Sequence, residues 1–173
     1  LNLLKNALPD NDDEISISYN SNHLFVSHGD VQMICRLIDA RFPDYKVVIP
    51  AENPYHLVVN KQDFQNALRR VSVFSNKSTN QVALSITGSE LQMAAQDVDF
   101  SFEGNERMNC QYNGEDLQIA FNAKFLIEML SAADTDDVRV ELSTPTKAGL
   151  VKPTEQGEGE DLLMLVMPLM LNN

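Results

Sequence analysis

The chain has 173 residues with 25 acidic and 13 basic side chains, and therefore a net charge of −12 at pH 7. Hydrophobic residues make up 43% of it and charged residues 22%, which is typical of a soluble globular protein that buries a core. The charge argues against a nucleic-acid binder with a broad basic surface, and no apolar run reaches the length of a membrane helix.

Three stretches have helical periodicity, and each precedes runs of alternating hydrophobicity. The helices are predicted at residues 3–8, 61–74 and 123–133. The strands are predicted at 15–19, 23–27 and 31–38, at 82–86, 91–95 and 98–108, and at 138–142, 149–151 and 162–167. The chain therefore repeats one unit about every sixty residues, a helix followed by an antiparallel meander of three strands.

Turn and cap residues support this unit. Asn20-Ser21-Asn22, Thr87-Gly88-Ser89 and Thr144-Pro145-Thr146 separate the first two strands of each meander. The acidic runs 10–13 and 134–137 occupy equivalent places between helix and strand. The repeat is thus visible in the connections as well as in the periodicity.

The second and third helices are predicted to be amphipathic, with Asn60 and Asn122 as N-caps. In the second helix the core stripe is Phe64, Ala67, Leu68 and Val71. The opposite face is predicted to point outward and carries Gln62, Gln65, Asn66, Arg69 and Arg70. Exposed helix faces are therefore polar and mildly basic in an acidic protein.

Residues 42–54 contain three prolines, which favour an extended connector. We place a boundary there, with residues 1–45 as the rear half of one domain, 46–54 as a linker and 55–173 as a complete domain. The chain lacks an initial Met and starts inside the apolar run 1–4, which indicates a fragment of a longer protein.

Two distant segments, 37–45 and 166–171, are predicted to be apolar strands that run into Pro43 and Pro168. Proline ends ladder pairing and turns the chain away from a sheet. Exposed Met, Leu and Pro suit a site for a peptide, so the two ends are predicted to flank an apolar groove for a partner.

Four motifs resemble the bacterial sliding clamp, the beta subunit of DNA polymerase III. They are Leu37-Ile38-Asp39-Ala40-Arg41-Phe42-Pro43-Asp44-Tyr45, Ser75-Asn76, Phe121-Asn122 and Val166-Met167-Pro168-Leu169. The resemblance implies an α+β DNA-clamp fold of repeated helix plus three-strand antiparallel units, with the helices on one face of the sheets. Residues 1–45 would be the C-terminal half of the clamp's middle domain, and 55–173 its C-terminal domain.

The resemblance also implies a function. Such clamps are non-catalytic, cytoplasmic processivity factors without a cofactor, and two copies close head to tail into a ring around duplex DNA. The ring tethers the polymerase III alpha subunit, clamp-loader subunits and repair proteins, whose Gln-Leu-x-Leu-Phe-type peptides insert apolar side chains into a groove. Weak, sequence-independent DNA contacts suffice for a ring, which fits an acidic exterior.

Residue by residue, the resemblance implies three sets of sites. The partner-peptide groove would comprise Pro43, Lys46, Val47, Val48, Thr79, Asn122, Phe125, Thr146, Ala148, Val166, Met167, Pro168, Leu169 and Leu171, with Asn122 available to hydrogen-bond the peptide backbone. The DNA-facing residues would be Arg69, Arg70, Lys77 and Lys124. The ring interface would include Val73, Phe74, Glu103 and Glu106. Val166 and Met167 can equally be the end of the last core strand.

The chain departs from the family pattern at two places. Val47 stands where many clamps have a second basic residue, Met170 stands where many have the Arg of a terminal Met-Pro-x-Arg-Leu, and Asn172 and Asn173 are two extra residues. The groove is therefore expected to be more apolar and less positive, with a correspondingly different peptide preference.

Two other functions fit parts of the sequence. One is an acidic α+β enzyme using a carboxylate pair such as Glu103 with Glu106, and the other is a peptide-binding module without a nucleic-acid role. The residues lack a phosphate-binding loop, a dinucleotide fingerprint and Cys-x-x-Cys, and the acidic run 10–14 lacks the glycine of a calcium loop. Cys35 and Cys110 are interpreted as reduced core residues.

Overall fold

Residues 1–44 and 45–173 form two separate units in the computed structural model, which describes residues 2–8 and 11–171. In the first unit, α1 (Asn2–Ala7) precedes the antiparallel meander β1 (Ser16–Tyr19), β2 (His23–His28) and β3 (Val31–Arg36). The predicted helix and three strands of this unit are therefore present. Positions 9 and 10, the latter in the predicted acidic turn, lie outside the described residues.

The second unit holds two helices, a short 3-10 turn and nine strands within the described residues. In chain order they are the 3-10 turn (Tyr45–Val48), β4 (Tyr55–Asn60), α2 (Lys61–Ser72), β5 (Gln81–Thr87), β6 (Glu90–Asp97), β7 (Phe102–Asn109), β8 (Gln111–Tyr112), β9 (Leu117–Asn122), α3 (Ala123–Ala132), β10 (Asp137–Leu142), β11 (Gly149–Pro153) and β12 (Met164–Val166). The predicted linker, residues 46–54, lies within this unit.

Several predicted elements need correction. The strand expected at 31–38 ends at Arg36, so it does not run into Pro43. Residues 45–48 coil into a 3-10 turn instead of extending, and 98–101 form a turn before β7. β4, β8 and β9 were not predicted, although β4 and β9 lie directly before the two capped helices. The repeated element of the second unit is therefore strand, helix and three strands.

Each repeat of the second unit gives its first strand to the sheet of the other repeat. The sheets have the orders β12-β11-β10-β4-β8 and β7-β6-β5-β9. β4 pairs antiparallel with β10, with Leu57 opposite Val140, and β9 pairs antiparallel with β5, with Ala120 opposite Ala83. This exchange makes the two repeats a single folding unit, because neither sheet is complete without the other repeat.

The helices begin where the sequence predicts. The Asn60 side chain accepts a hydrogen bond from the backbone N–H of Asp63 at 3.1 Å, which caps α2. The predicted stripe, Phe64, Ala67, Leu68 and Val71, is fully buried. Gln65 was predicted to face outward, but it is only 7% exposed.

Gln65 is buried because α2 and α3 pack against each other. Its Nε2 donates to the carbonyl oxygen of Ile127 at 3.0 Å and to the hydroxyl of Ser131 at 2.6 Å, both on α3. A buried amide is stable only when it is hydrogen-bonded, and these two partners satisfy its donors. The two hydrogen bonds of Gln65 thus fix the position of α2 relative to α3.

One hydrophobic core joins both helices to both sheets. It contains Phe64 and Leu68 of α2, Leu126 and Leu130 of α3, and the inward residues of β4, β5, β6, β9 and β10. Along β5 the buried residues alternate with half-exposed ones, so one face of the sheet meets the helices and the other meets solvent. The fold agrees with the expected α+β architecture.

Candidate functional site

An apolar groove of about 740 Å³ lies on the second unit between two walls. One wall is the chain from Val47 to Glu52, which begins within the 3-10 turn. The other is the β10–β11 turn at Thr146–Ala148, together with Met167. Val47 is 76% exposed and Met167 is 61% exposed, so two apolar side chains remain open to solvent at this site.

The second wall is held by tight packing below it. β11 pairs with β12, and Gly149 lies opposite Val166, directly before Met167. A Cβ at Gly149 would lie 3.2 Å from a Leu142 methyl and 3.3 Å from the Phe121 ring, so the close approach requires glycine or a shift of the core. The exposed Met167 is therefore carried on a rigid element, as a preformed peptide site needs.

Of the predicted groove residues, five line this groove: Val47, Val48, Thr146, Ala148 and Met167. Five further lining residues were not predicted: Ile49, Pro50, Ala51, Glu52 and Lys147. The feature that could have identified them is adjacency to predicted residues. Ile49, Pro50, Ala51 and Glu52 directly follow Val48, and Lys147 lies between Thr146 and Ala148. Lys147 makes no ion pair among the described residues and adds one positive charge to an apolar site.

The other predicted groove residues lie elsewhere or serve the fold. Thr79 and Leu171 line a second cavity of about 500 Å³ against β5 and β6. Val166 belongs to the core, whereas Leu169 donates its backbone N–H to Ala120 of β9 at 2.7 Å. Lys46 is in the 3-10 turn, Phe125 is exposed near the start of α3, Pro168 is half-buried, and Pro43 belongs to the first unit.

The Asn122 side chain, which was expected to be available to a peptide backbone, makes three hydrogen bonds within the fold in this conformation. Its side-chain oxygen accepts from the backbone N–H groups of Lys124 and Phe125 at 3.0 and 3.4 Å, which caps α3. Its amide nitrogen donates to the carbonyl of Thr79 at 2.9 Å. The oxygen is thus engaged in the cap of α3.

A second exposed feature is the outer edge of the sheet at β7, which pairs only with β6 among the described residues. Phe74 lies against the backbone of Gly104, so that a Cβ at that glycine would collide with its ring. Val73, Val98, Phe100 and Phe102 are exposed nearby in sequence, and the rings of Phe100 and Phe102 stack 6.1 Å apart. An unpaired edge with exposed aromatic residues is typical of a protein interface.

The structure joins two residues that were predicted to serve different sites. Arg70 donates through Nε and an Nη to the two carboxylate oxygens of Glu106 at 2.5 and 2.7 Å. The hydrogen bonds from Arg70 lower the pKa of Glu106 below its ordinary value. Arg70 is therefore engaged by Glu106 at the β7 edge while remaining exposed, and Arg69, Lys77 and Lys124 are also exposed.

The proposed carboxylate pair of an enzyme is not supported by this geometry. Glu103 and Glu106 are three residues apart on one strand, so their side chains project from opposite faces. Glu106 is held ionised by Arg70, whereas a general acid needs a raised pKa. Within residues 2–8 and 11–171, no three His, Cys, Asp or Glu side chains form a metal-ligand group.

Two further findings concern the thiols and the helices. Cys35 and Cys110 are free thiols, half-buried and buried respectively. In the part of the chain that the structure describes, no helix combines the length and apolarity needed to cross a membrane.

Comparison with known proteins now places the chain in a family. Residues 46–169 match the model of the DNA polymerase III beta subunit, C-terminal domain. The beta sliding clamp of Pseudomonas aeruginosa is 28% identical over 97% of this chain, and that of Escherichia coli is 26% identical over the same share. In both cases the match covers 45% of the relative, so the chain spans less than half the length of these proteins.

Solved structures agree with the sequence comparison. A sliding clamp from Bartonella birtlesii, bound to griselimycin, superposes with a TM-score of 0.85 at 29% identity and covers 98% of this chain and 44% of its own. The DNA polymerase III beta subunit of Thermotoga maritima gives a TM-score of 0.76 at 30% identity over 91% of this chain and 42% of its own. The chain therefore belongs to the beta sliding clamp family of DNA polymerase III.

Proposed function

We propose that this chain forms part of a ring that encircles duplex DNA and tethers the replicative polymerase, the clamp loader and repair proteins. The observation that carries the tethering role is the apolar groove between Val47–Glu52 and the β10–β11 turn. A preformed groove buries the apolar anchors of a peptide without the entropy cost of ordering the walls of the groove. The proposed role is non-catalytic and cytoplasmic, and it requires no cofactor.

The β7 edge is the proposed site of ring closure. Two copies would meet head to tail, with Val73 and Phe74 packing on the neighbouring subunit while β7 offers its free edge for pairing. Glu103 is exposed on this strand. Glu106 and Arg70 form an ion pair there, which would sit at the margin of the seam.

Arg69, Lys77 and Lys124 are proposed to face DNA without reading its sequence. They are exposed and lie on or next to α2 and α3, whereas the chain as a whole carries a charge of −12. A ring retained by its topology needs only a few such contacts, and general acidity keeps DNA from binding elsewhere on the surface. Arg70 belongs to this set only if its bond to Glu106 opens.

The groove is tested by titrating the chain with a Gln-Leu-Ser-Leu-Phe peptide and following backbone amide shifts by NMR. We expect shifts at Val47, Val48, Lys147, Ala148 and Met167. Replacing Met167 by Ala should weaken binding at least tenfold, because an exposed apolar wall is removed. Met170→Ala is the matched control, since Met170 is 86% exposed and does not line the groove.

Two outcomes would contradict the proposal. Equal weakening by both methionine variants would show that binding does not depend on this groove. Shifts confined to the second cavity, at Ala83 and Gln118, would place the peptide on the sheet face instead. Competition by griselimycin, which is bound to the Bartonella birtlesii clamp, would show whether the two ligands share a site on this chain.

A further inference from the structure

Asn53 links the two walls of the groove through one buried side chain. It follows Glu52, the last lining residue of the first wall, and is 8% exposed. Its Nδ2 donates to the carbonyl oxygen of Ala148 at 2.9 Å and to that of Glu141 at 3.0 Å. Ala148 lines the second wall, so the hydrogen bonds of one amide group join segments about ninety residues apart.

The geometry of the amide makes this link directional. The two N–H bonds of an Asn side chain lie in one plane at a fixed angle, so two acceptors determine where the amide sits. One acceptor belongs to β10 and the other to the turn that follows it. The end of the first wall is therefore fixed relative to both the sheet and the turn.

The oxygen of the same side chain differs from the nitrogen in its hydrogen bonding. Asn53 Oδ1 is buried and has no hydrogen-bond partner among the described residues. An unpaired buried acceptor lowers stability, and an apolar side chain chosen only to fill space would not carry that penalty. The hydrogen bonds that tie this side chain to the fold are therefore those of its two N–H donors.

We propose that Asn53 is a positioning residue that sets the separation of the groove walls and so determines how well an apolar peptide anchor fits between them. The inference rests on the proposed peptide-binding function of the groove. It assigns the role to a residue that need not touch the peptide. Loss of the two donors leaves both carbonyls without this partner and frees the Val47–Glu52 wall from the β10–β11 turn.

The test measures peptide affinity in folded variants of the full chain. Asn53→Ala should lower the affinity for the Gln-Leu-Ser-Leu-Phe peptide at least tenfold, because the walls are no longer held at the binding distance. Leu130→Ala is the matched control, since Leu130 is buried in the core on α3 and does not line the groove. It lowers stability in the same domain and should leave affinity within twofold at a temperature where both variants are folded.

A second measurement needs no variant. In the unaltered chain, the side-chain amide hydrogens of Asn53 should exchange with solvent far more slowly than those of Asn105, which is exposed on β7. Equal exchange rates for Asn53 and Asn105 would show that these hydrogen bonds do not hold the Asn53 side chain, and the positioning role would be wrong. This measurement does not depend on whether Asn53→Ala folds.

The outcomes separate the two proposals. If the unaltered chain binds the peptide and Asn53→Ala binds equally well, the positioning role is wrong and the groove function stands. If Leu130→Ala weakens binding as much as Asn53→Ala, the effect is general destabilisation and the positioning role is likewise wrong. If the unaltered chain does not bind, the proposed function of the groove is wrong, and the positioning role falls with it.

Discussion

The two units of this chain are built from similar pieces but bury very different amounts of side chain. In the first unit, Val26 is the one buried side chain among the described residues, and all four positions of β1 are exposed. In the second unit, both helices and both sheets share one core. A helix followed by a three-strand meander occurs in both, so these pieces alone do not create a core.

The difference lies in strand exchange. β4 and β9 complete the sheets of the opposite repeats, and two helices then cover one continuous apolar layer. The first unit has a three-stranded sheet and a helix of six residues, which is too short to be stable in isolation. A single repeat therefore leaves apolar side chains such as Ile17 and Ile34 exposed.

The largest expected effect comes from separating the units. Residues 45–173 expressed alone should fold cooperatively, because they retain the whole shared core. A peptide of residues 1–44 should be unfolded, since a sheet of this size with one buried side chain cannot offset the entropy of ordering. Circular dichroism and NMR dispersion of the two fragments test this. A well-dispersed spectrum from 1–44 would show that the repeat is self-sufficient.

A second prediction compares one apolar side chain in each unit. Leu57 is fully buried on β4, where strand exchange takes place, and Leu57→Ala should lower the free energy of unfolding by about 2–5 kcal/mol. Ile34 is 64% exposed on β3, and Ile34→Ala should change stability by no more than about 0.5 kcal/mol. Urea denaturation of both variants provides the measurement. Equal losses of unfolding free energy would mean that the buried side chain on β4 contributes no more to stability than the exposed one on β3.

A third prediction concerns the N-cap of α3 in the second unit. Asn122→Ala should cost about 1 kcal/mol of unfolding free energy, because two backbone N–H groups lose their acceptor. Asn122→Asp keeps an acceptor at the cap and loses only the donation to Thr79. Its loss should be smaller, and an equal or greater loss would assign the main role of Asn122 to the Thr79 contact.

Much of this fold could be predicted because its signals are local. Helix starts at Asn60 and Asn122, the buried stripe of α2 and the meander strands all follow from short-range periodicity and capping. β4 and β9 also have apolar sequences, but their partners lie on the other repeat, and no local pattern shows such pairing. Gln65 illustrates the same limit, since its partners lie on α3 more than sixty residues away.

The candidate site could be predicted only in part for a related reason. Met167 carries a visible signal, because it lies directly before Pro168 at the end of an apolar strand, whereas Val47 is predicted through the resemblance to the family. Lys147 and Glu52 line the groove only because of the path that the β10–β11 turn and the connector take in the fold. Asn53 has no periodic signal at all, because its role depends on two carbonyl groups that the fold brings to it.

The smallest predicted effect compares one close side-chain contact in each unit. In the first unit, His28 Nε2 lies 3.5 Å from an Asp13 oxygen, whereas Arg70 and Glu106 in the second share two hydrogen bonds. Arg70 lowers the pKa of Glu106 from about 4.5, so the folded state holds this carboxylate ionised more strongly than the unfolded state does. The pair therefore adds stability above pH 4.5, and this contribution is lost as the pH falls through the lowered pKa.

Glu106→Gln isolates this contribution, because it removes the charge while keeping a similar shape. The variant should be less stable than the unaltered chain at pH 7, and the difference should shrink steadily below pH 4.5. Denaturant unfolding at several pH values measures it, with Glu103→Gln as the control on the same strand. A constant difference from pH 7 to pH 3 would show that the hydrogen-bonding shape of the side chain matters and its charge does not. Because both partners are accessible at the β7 edge, added salt should weaken the effect.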